Sequence, residues 1–171
     1  MGYANDTHMH AWIPPTLIHY VTGTWADAAG QVANSIVEKK TAADQAATVT
    51  IPILVPMNDS LDKGSLLNSI DIYWECLTAA NDVVTPAIYV ITLPADTAIF
   101  AVSATPVFTY DTSHSTAGGR ITLSKHKMTL TLTTPFWVKE YMIVQVELII
   151  DAALTSIDDI IGARVNYTFR V

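Results

Sequence analysis

The sequence predicts an all-β protein, an antiparallel β-sandwich of jelly-roll type with about eight strands. Three observations support this prediction. Apolar and polar residues alternate with a period of two in several segments, clusters of Pro, Gly, Asn and Asp separate these segments, and no helix long enough for a parallel crossover lies between them. We expect residues 16–171 to form a single β-sandwich domain.

Four segments show the alternation most clearly. In residues 163–171 and 128–133, the apolar residues share one face and Arg, Asn or Thr the other, which predicts strands with one buried face. Residues 69–76 follow the same pattern. Residues 143–150 are apolar on most of both faces, which predicts a central strand.

Four shorter segments complete the predicted sheets. They span residues 16–21, 48–55, 87–93 and 105–110. Proline has no N–H for a ladder hydrogen bond, so Pro52 predicts that its strand lies at an edge or contains a bulge.

Residues 25–47 support two interpretations. We predict a short strand at 35–39 and a loop at 41–46, and the alternative is a helix over residues 27–39, because the segment is rich in alanine. Residues 1–15 are interpreted as an N-terminal arm or irregular segment, since they begin with polar residues and end at Pro14 and Pro15.

The composition excludes several classes of partner. The net charge is −7 and the nine Lys and Arg are scattered, so we expect no nucleic-acid partner. Half of the residues are hydrophobic, yet the sequence contains no run of about 20 apolar residues, so we expect no membrane-spanning helix. The first residues lack the pattern of a signal peptide.

The single cysteine, Cys76, is predicted to be a buried thiol.

The histidines predict no metal or cofactor site. His8 and His10 would point to the same side of an extended chain, but two ligands are too few for a metal centre. His19, His114 and His126 are interpreted as surface or rim residues. We therefore expect no metal and no cofactor.

No catalytic constellation is evident, and the chain is predicted not to be an enzyme. A Gly-x-Ser-x-Gly elbow is absent. Asp71 and Glu75 share a strand face at about 13 Å, too far apart for a glycosidase pair, and indicate a solvated face. Asp158 and Asp159 are interpreted as a charged turn, and residues 118–120 as a hairpin loop.

The candidates for binding a ligand or another protein chain are aromatic and aliphatic residues. Trp25, Tyr73 and Trp137 are candidates for a sugar-stacking platform, although core and interface packing is the commoner role of such residues. The possible interface or ligand platform comprises Tyr73, Trp137, Ile143 and Ile149.

A succession of strand and turn patterns from Lys63 to Val171 resembles a family of uncharacterised β-sandwich proteins encoded among the structural genes of tailed bacteriophages and prophages. The matching stretches are residues 63–65, 69–73, 91–96, 129–133, 135–137 and 162–167. The resemblance covers about two-thirds of the chain and contains no active-site motif, so it assigns no functional residue.

The resemblance implies a component of the virion, such as a capsid decoration or cement protein or a tail accessory. It implies a homo-oligomer, with a trimer as the expected number, that contacts other virion proteins and is made in the host cytoplasm. An alternative from another class is a carbohydrate- or receptor-binding β-sandwich module. A third class, a hydrolase or isomerase in a cupin-like barrel, is disfavoured because the histidines are scattered.

Overall fold

The protein is a sandwich of two antiparallel sheets, as predicted. The computed structural model describes residues 5–29, 36–58, 63–93 and 102–171. These residues form twelve strands, a short α-helix and two single-turn 3-10 helices. The strands are β1 Asp6–Ile13, β2 His19–Thr22, β3 Trp25–Ala29, β4 Ile36–Lys40, β5 Ala46–Pro52, β6 Gly64–Cys76, β7 Asn81–Thr92, β8 Val102–Ala104, β9 Phe108–Tyr110, β10 Lys125–Val138, β11 Met142–Ala152 and β12 Asp158–Arg170.

The strand order is that of a jelly roll. A seven-stranded sheet has the order β3-β4-β12-β6-β10-β9, and β1 also pairs with β12. The five-stranded sheet has the order β2-β5-β11-β7-β8. Within these sheets, β4-β12-β6-β10 and β5-β11-β7-β8 are the two four-stranded halves of the jelly roll. The described residues form more strands than the predicted number of about eight, because β1, β2, β3 and β9 extend this central set.

The core lies between the sheets and follows the period-two pattern. Trp74 and Leu130 of the seven-stranded sheet and Ile51 and Leu148 of the five-stranded sheet are fully buried. Strand β11 is central in its sheet, as its apolar sequence predicted. A fully buried aliphatic side chain contributes about 1.5–3 kcal/mol through the hydrophobic effect, so these alternating positions stabilise the sandwich.

The ambiguous segment is extended and not helical where it is described. Residues 36–39 lie in β4 as predicted, and residue 35 lies outside the described residues. β3 was not predicted, and it pairs with β4 from Trp25 to Ala29. The helix alternative is therefore wrong for the described part, because pairing with a sheet outweighs the weak helical propensity of alanine.

Two local predictions need correction. Pro52 is the last residue of β5, which lies between β2 and β11. β2 pairs only with Thr48–Thr50 of β5, so Pro52 lies beyond that pairing. The proline therefore requires neither an edge strand nor a bulge. The predicted hairpin loop at residues 118–120 belongs to the short helix α1, Ala117–Ile121. Its N-cap, Thr116, accepts a hydrogen bond from the backbone N–H of Gly119, which favours a helical turn.

The segment interpreted as an N-terminal arm contains a regular strand. β1 pairs with β12 over its whole length, from Asp6 opposite Arg170 to Ile13 opposite Ala163. At Pro14 and Pro15 the chain leaves β1 and enters a 3-10 helix, Pro15–Leu17, as the two prolines indicated for this point. None of the described helices is long and apolar enough to cross a membrane.

Candidate functional site

The outer face of the seven-stranded sheet carries a hydrogen-bonded polar network centred on Asp71. Ile70 and Ile72, the neighbours of Asp71 in β6, face the core, so Asp71 lies on the outer face. Its side chain is nevertheless buried. Its Oδ2 accepts hydrogen bonds from Nε and Nη2 of Arg164 at 3.0 and 2.6 Å. Its Oδ1 accepts one from the Thr129 hydroxyl at 2.7 Å. The prediction of a solvated face is wrong at Asp71, because these partners cover its carboxylate.

The charge of Asp71 is stabilised by this network. Burial alone would raise the pKa of Asp71, but the hydrogen bonds from Thr129, Arg164 and Asn166 and the charge of Lys127 outweigh burial and lower it. Lys127 Nζ lies 3.7 Å from Oδ2 of Asp71. The carboxylate is therefore ionised and holds two cationic side chains on the outer face.

Strand β1 places His8 and His10 on the same outer face, as an extended chain requires. Nδ1 of His10 lies 2.7 Å from Oδ1 of Asn166, and Nδ1 of His8 lies 3.2 Å from the Thr168 hydroxyl. Both histidines thus fasten β1 to β12. The described residues contain no group of three or more His, Cys, Asp or Glu side chains arranged to hold a metal ion.

An aromatic pair lies on this face at one end of the network. The rings of Trp12 and Tyr73 are 5.4 Å apart and inclined by 56°. Trp12 was not among the predicted platform residues, and Trp25 and Trp137 lie elsewhere. Trp25 packs on Tyr20 at 4.7 Å, and the Trp137 ring lies 5.1 Å from the guanidinium carbon of Arg170. The three predicted platform residues therefore do not form one platform.

The predicted interface residues divide between the two outer faces of the sandwich. Tyr73 and Trp137 belong to strands of the seven-stranded sheet. Ile143 and Ile149 belong to β11 of the five-stranded sheet, where they alternate with the buried Val144, Val146, Leu148 and Ile150. Ile143 and Ile149 are 42% and 38% exposed. The four residues therefore do not share one surface, and a single contact surface would include either Tyr73 and Trp137 or Ile143 and Ile149.

The strands of the five-stranded sheet contain no Lys or Arg in the part of the chain that the structure describes. Their acidic residues are Asp82, Glu147 and Asp151. On the outer face Ile149 lies between Thr48 and Thr85, and Ile143 lies opposite Ile91. This face therefore combines exposed apolar groups with threonine and a few acidic side chains.

A buried histidine pair closes one end of the core. His114 and His126 are both 6% exposed, so their interpretation as surface or rim residues is wrong. The His126 ring stacks on Trp74 at 4.4 Å, with 8° between the planes. The loop between β9 and β10 folds over this end of the core, because Arg120 donates hydrogen bonds to the backbone oxygens of Val84 and His114.

The hydrogen bonds of the histidine pair form a chain from Asp111 to Thr122. Nδ1 of His114 lies 2.8 Å from Oδ1 of Asp111, its Nε2 lies 3.1 Å from Nδ1 of His126, and Nε2 of His126 donates to Thr122 O at 2.9 Å. Burial alone would raise the pKa of Asp111, but hydrogen bonds from Thr129 N–H and His114 outweigh it and lower the pKa.

A second buried polar cluster lies where β4, β6 and β12 meet. Lys40, Cys76 and Asp158 face each other across these strands and are all buried. Asn81 donates a hydrogen bond to Oδ1 of Asp158 at 2.9 Å, and burial raises the pKa of Asp158. The predicted charged turn at Asp158 and Asp159 is wrong, because both residues begin β12 and are buried.

The fold and these surfaces define the chain as a jelly-roll β-sandwich with a closed core, a polar and aromatic outer face on one sheet and an apolar, threonine-rich outer face on the other. Comparison of the chain with family models, with curated proteins and with solved structures gave no match.

Proposed function

We propose that the chain is a non-enzymatic structural protein of a virus particle, a capsid decoration or cement protein or a tail accessory. It acts by self-association and by contacts with the shell or with other proteins of the particle. It is made in the host cytoplasm and becomes part of the virion. The observation that supports this proposal is the outer face of the five-stranded sheet.

This face has the chemistry of an interface centre. Such centres are depleted in charged residues and rich in apolar groups. Here Ile143 and Ile149 are exposed at opposite ends of the outer face of β11, and Gln145 and Glu147 lie between them. Threonine flanks Ile149 on both sides. Threonine adds methyl groups without charge, so a partner covering this face displaces water from a largely uncharged surface.

The proposed occupant of this face is a second copy of the chain. The two outer faces differ, since the seven-stranded sheet exposes a polar network that forms hydrogen bonds within the sheet. The five-stranded sheet has no comparable network in its described residues. A stable contact between copies buries about 1,200–2,000 Å² in total, which requires most of one such face. A closed oligomer, with a trimer as the expected number, satisfies this requirement.

The test is the mass of the protein in solution, measured by light scattering over a range of concentrations. We expect a closed oligomer for the wild type. Ile149→Lys should weaken association by about tenfold or more, because it places a charge in the interface. Val107→Lys is the matched control, since Val107 is exposed in the segment between β8 and β9. A wild-type monomer at every concentration would overturn the proposal.

A further inference from the structure

We propose that the outer face of the seven-stranded sheet binds an acidic sugar through Trp12 and Tyr73, a site that the proposed assembly role does not require. The site lies on the opposite side of the sandwich from Ile143 and Ile149, so that an oligomer formed through β11 leaves it accessible.

The Trp12 ring packs directly against Gly162. Gly162 has φ +138° and lies at a register shift of β12 opposite Tyr73. A Cβ at this position would be 2.8 Å from Cζ2 of Trp12 and 2.6 Å from Ile13 O. Both distances are too short for real contacts, so the indole occupies the space of the missing side chain. Glycine at residue 162 thus permits Trp12 to lie directly on the backbone of β12.

The Trp12 ring is fixed on one side and open on the other. Below it lies Gly162, and beside it lies the Tyr73 ring at 5.4 Å. Even so, 51% of Trp12 is exposed. Fixing an aromatic ring before a ligand arrives lowers the entropy cost of binding. The C–H groups of a pyranose ring suit such an open aromatic face.

The charges beside the aromatic pair favour an anionic ligand. Lys127 lies opposite Tyr73 in the sheet, and Arg164 lies opposite Trp12. These two cations share one carboxylate, Asp71, so two positive charges and one negative charge leave a surplus of one positive charge. Two residues along β6, Glu75 lies opposite Lys125 on one side and Asp159 on the other, and Asp159 lies opposite Lys39, so these four side chains add no net charge.

Arg164 and Lys127 are placed to bind a carboxylate. Arg164 uses Nε and Nη2 for Asp71, so Asp71 does not engage its Nη1. Lys127 approaches Asp71 only to 3.7 Å, and its side chain is half exposed. A carboxylate on a sugar ring that stacks on Trp12 would therefore meet donors with unused hydrogen-bonding capacity. The class of ligand is a hexuronic acid or another acidic monosaccharide unit in a glycan.

The experiment is calorimetric titration of the full chain with a tetrasaccharide of galacturonic acid, and with its uncharged methyl ester as the matched ligand. We expect the acid form to bind, the ester to bind about tenfold more weakly, and Trp12→Ala to weaken binding of the acid form by about tenfold. Trp137→Ala, at the Arg170 contact on the same sheet, should leave the affinity unchanged.

A second variant keeps the test decisive if Trp12→Ala lowers stability. Lys127→Met should remove most of the preference for the acid form and leave binding of the ester unchanged, since Lys127 is half exposed and outside the core. The inference is overturned if the wild type does not bind the acid form, if it binds both ligands equally, or if Trp137→Ala weakens binding as much as Trp12→Ala. It is also overturned if Trp12→Ala changes the oligomer mass, because the patch would then be a contact between copies.

Discussion

Nε2 of His114 lies 3.1 Å from Nδ1 of His126, and this contact requires a proton that two neutral rings in their present hydrogen bonds do not supply. Nε2 of His126 donates to Thr122 O, and Nδ1 of His114 donates to the ionised Asp111. A hydrogen bond between the rings needs a proton on Nε2 of His114 or on Nδ1 of His126. Burial is the largest cause that lowers the pKa of His126.

His126→Phe should lower the free energy of unfolding by about 1–3 kcal/mol. Phenylalanine preserves the stacking on Trp74 but leaves Nε2 of His114 without its hydrogen-bond partner in a buried site. The measurement is the urea midpoint at neutral pH. His19→Phe is the control, because His19 is exposed on β2 and its replacement should change the midpoint little. Equal midpoints for wild type and His126→Phe would contradict the expected role of the contact.

Asp71→Asn should lower the free energy of unfolding by about 2 kcal/mol at neutral pH, because it removes the charge that pairs with Arg164. The folded-state pKa of Asp71 is lowered, so its contribution is fully present above the unfolded pKa of about 3.8 and is lost as pH falls through the folded pKa.

The variant should therefore lose less stability than the wild type when denaturation curves are compared between neutral pH and pH values below about 4. Asp6→Asn is the control. Asp6 also pairs with an arginine, Arg170, at 2.6 Å, but it is exposed, and we expect no measurable change. Parallel curves for wild type and Asp71→Asn would show that the Asp71 charge does not stabilise the fold.

Gly162→Ala should destabilise the protein by about 1–3 kcal/mol, because it combines a strained backbone angle with a collision at Ile13 O. Gly118→Ala is the matched control. Nothing lies within 4 Å of a Cβ built at Gly118, which is in α1, so alanine there should be neutral or stabilise by up to about 1 kcal/mol. Thermal denaturation of both variants checks the prediction, and a neutral Gly162→Ala would refute the close approach of Trp12.

Cys76 should not react with a thiol reagent at mildly alkaline pH while the protein is folded. Burial, with a smaller contribution from the charge of Asp158, raises the pKa of Cys76 to about 12, and the thiolate is the reactive form. Colorimetric labelling should proceed only after addition of denaturant, and then to one equivalent. Fast labelling of the native protein would show that the thiol is accessible.

The alternation of residues predicted the fold class and most of the core, because a strand exposes successive side chains to opposite faces. Met128, Leu130 and Leu132 are buried as expected. The same rule also places His126 on their face, two residues before Met128, and its burial was missed because histidine between two lysines was interpreted as polar surface. Period is therefore a better guide to burial here than residue type.

A similar signal was available for the aromatic patch. An isolated glycine within an alternating strand, such as Gly162, indicates a bulge or a close approach. The sequence did not indicate what approaches it, because Trp12 lies 150 positions earlier along the chain. The partner of the glycine depends on β1 pairing with β12, and no local pattern encodes that pairing.

By itself, the sequence determined the fold class and most of the strands with their apolar faces, since alternation depends on neighbouring residues, but it did not reveal β1 and β3. The tertiary structure alone decided which polar residues meet. Asp71 and Arg164 are 93 positions apart and pair only because β6 and β12 are adjacent in the sheet. Strand order is set by packing of the whole core and by the closure of long loops, and those energies belong to no single segment of the chain.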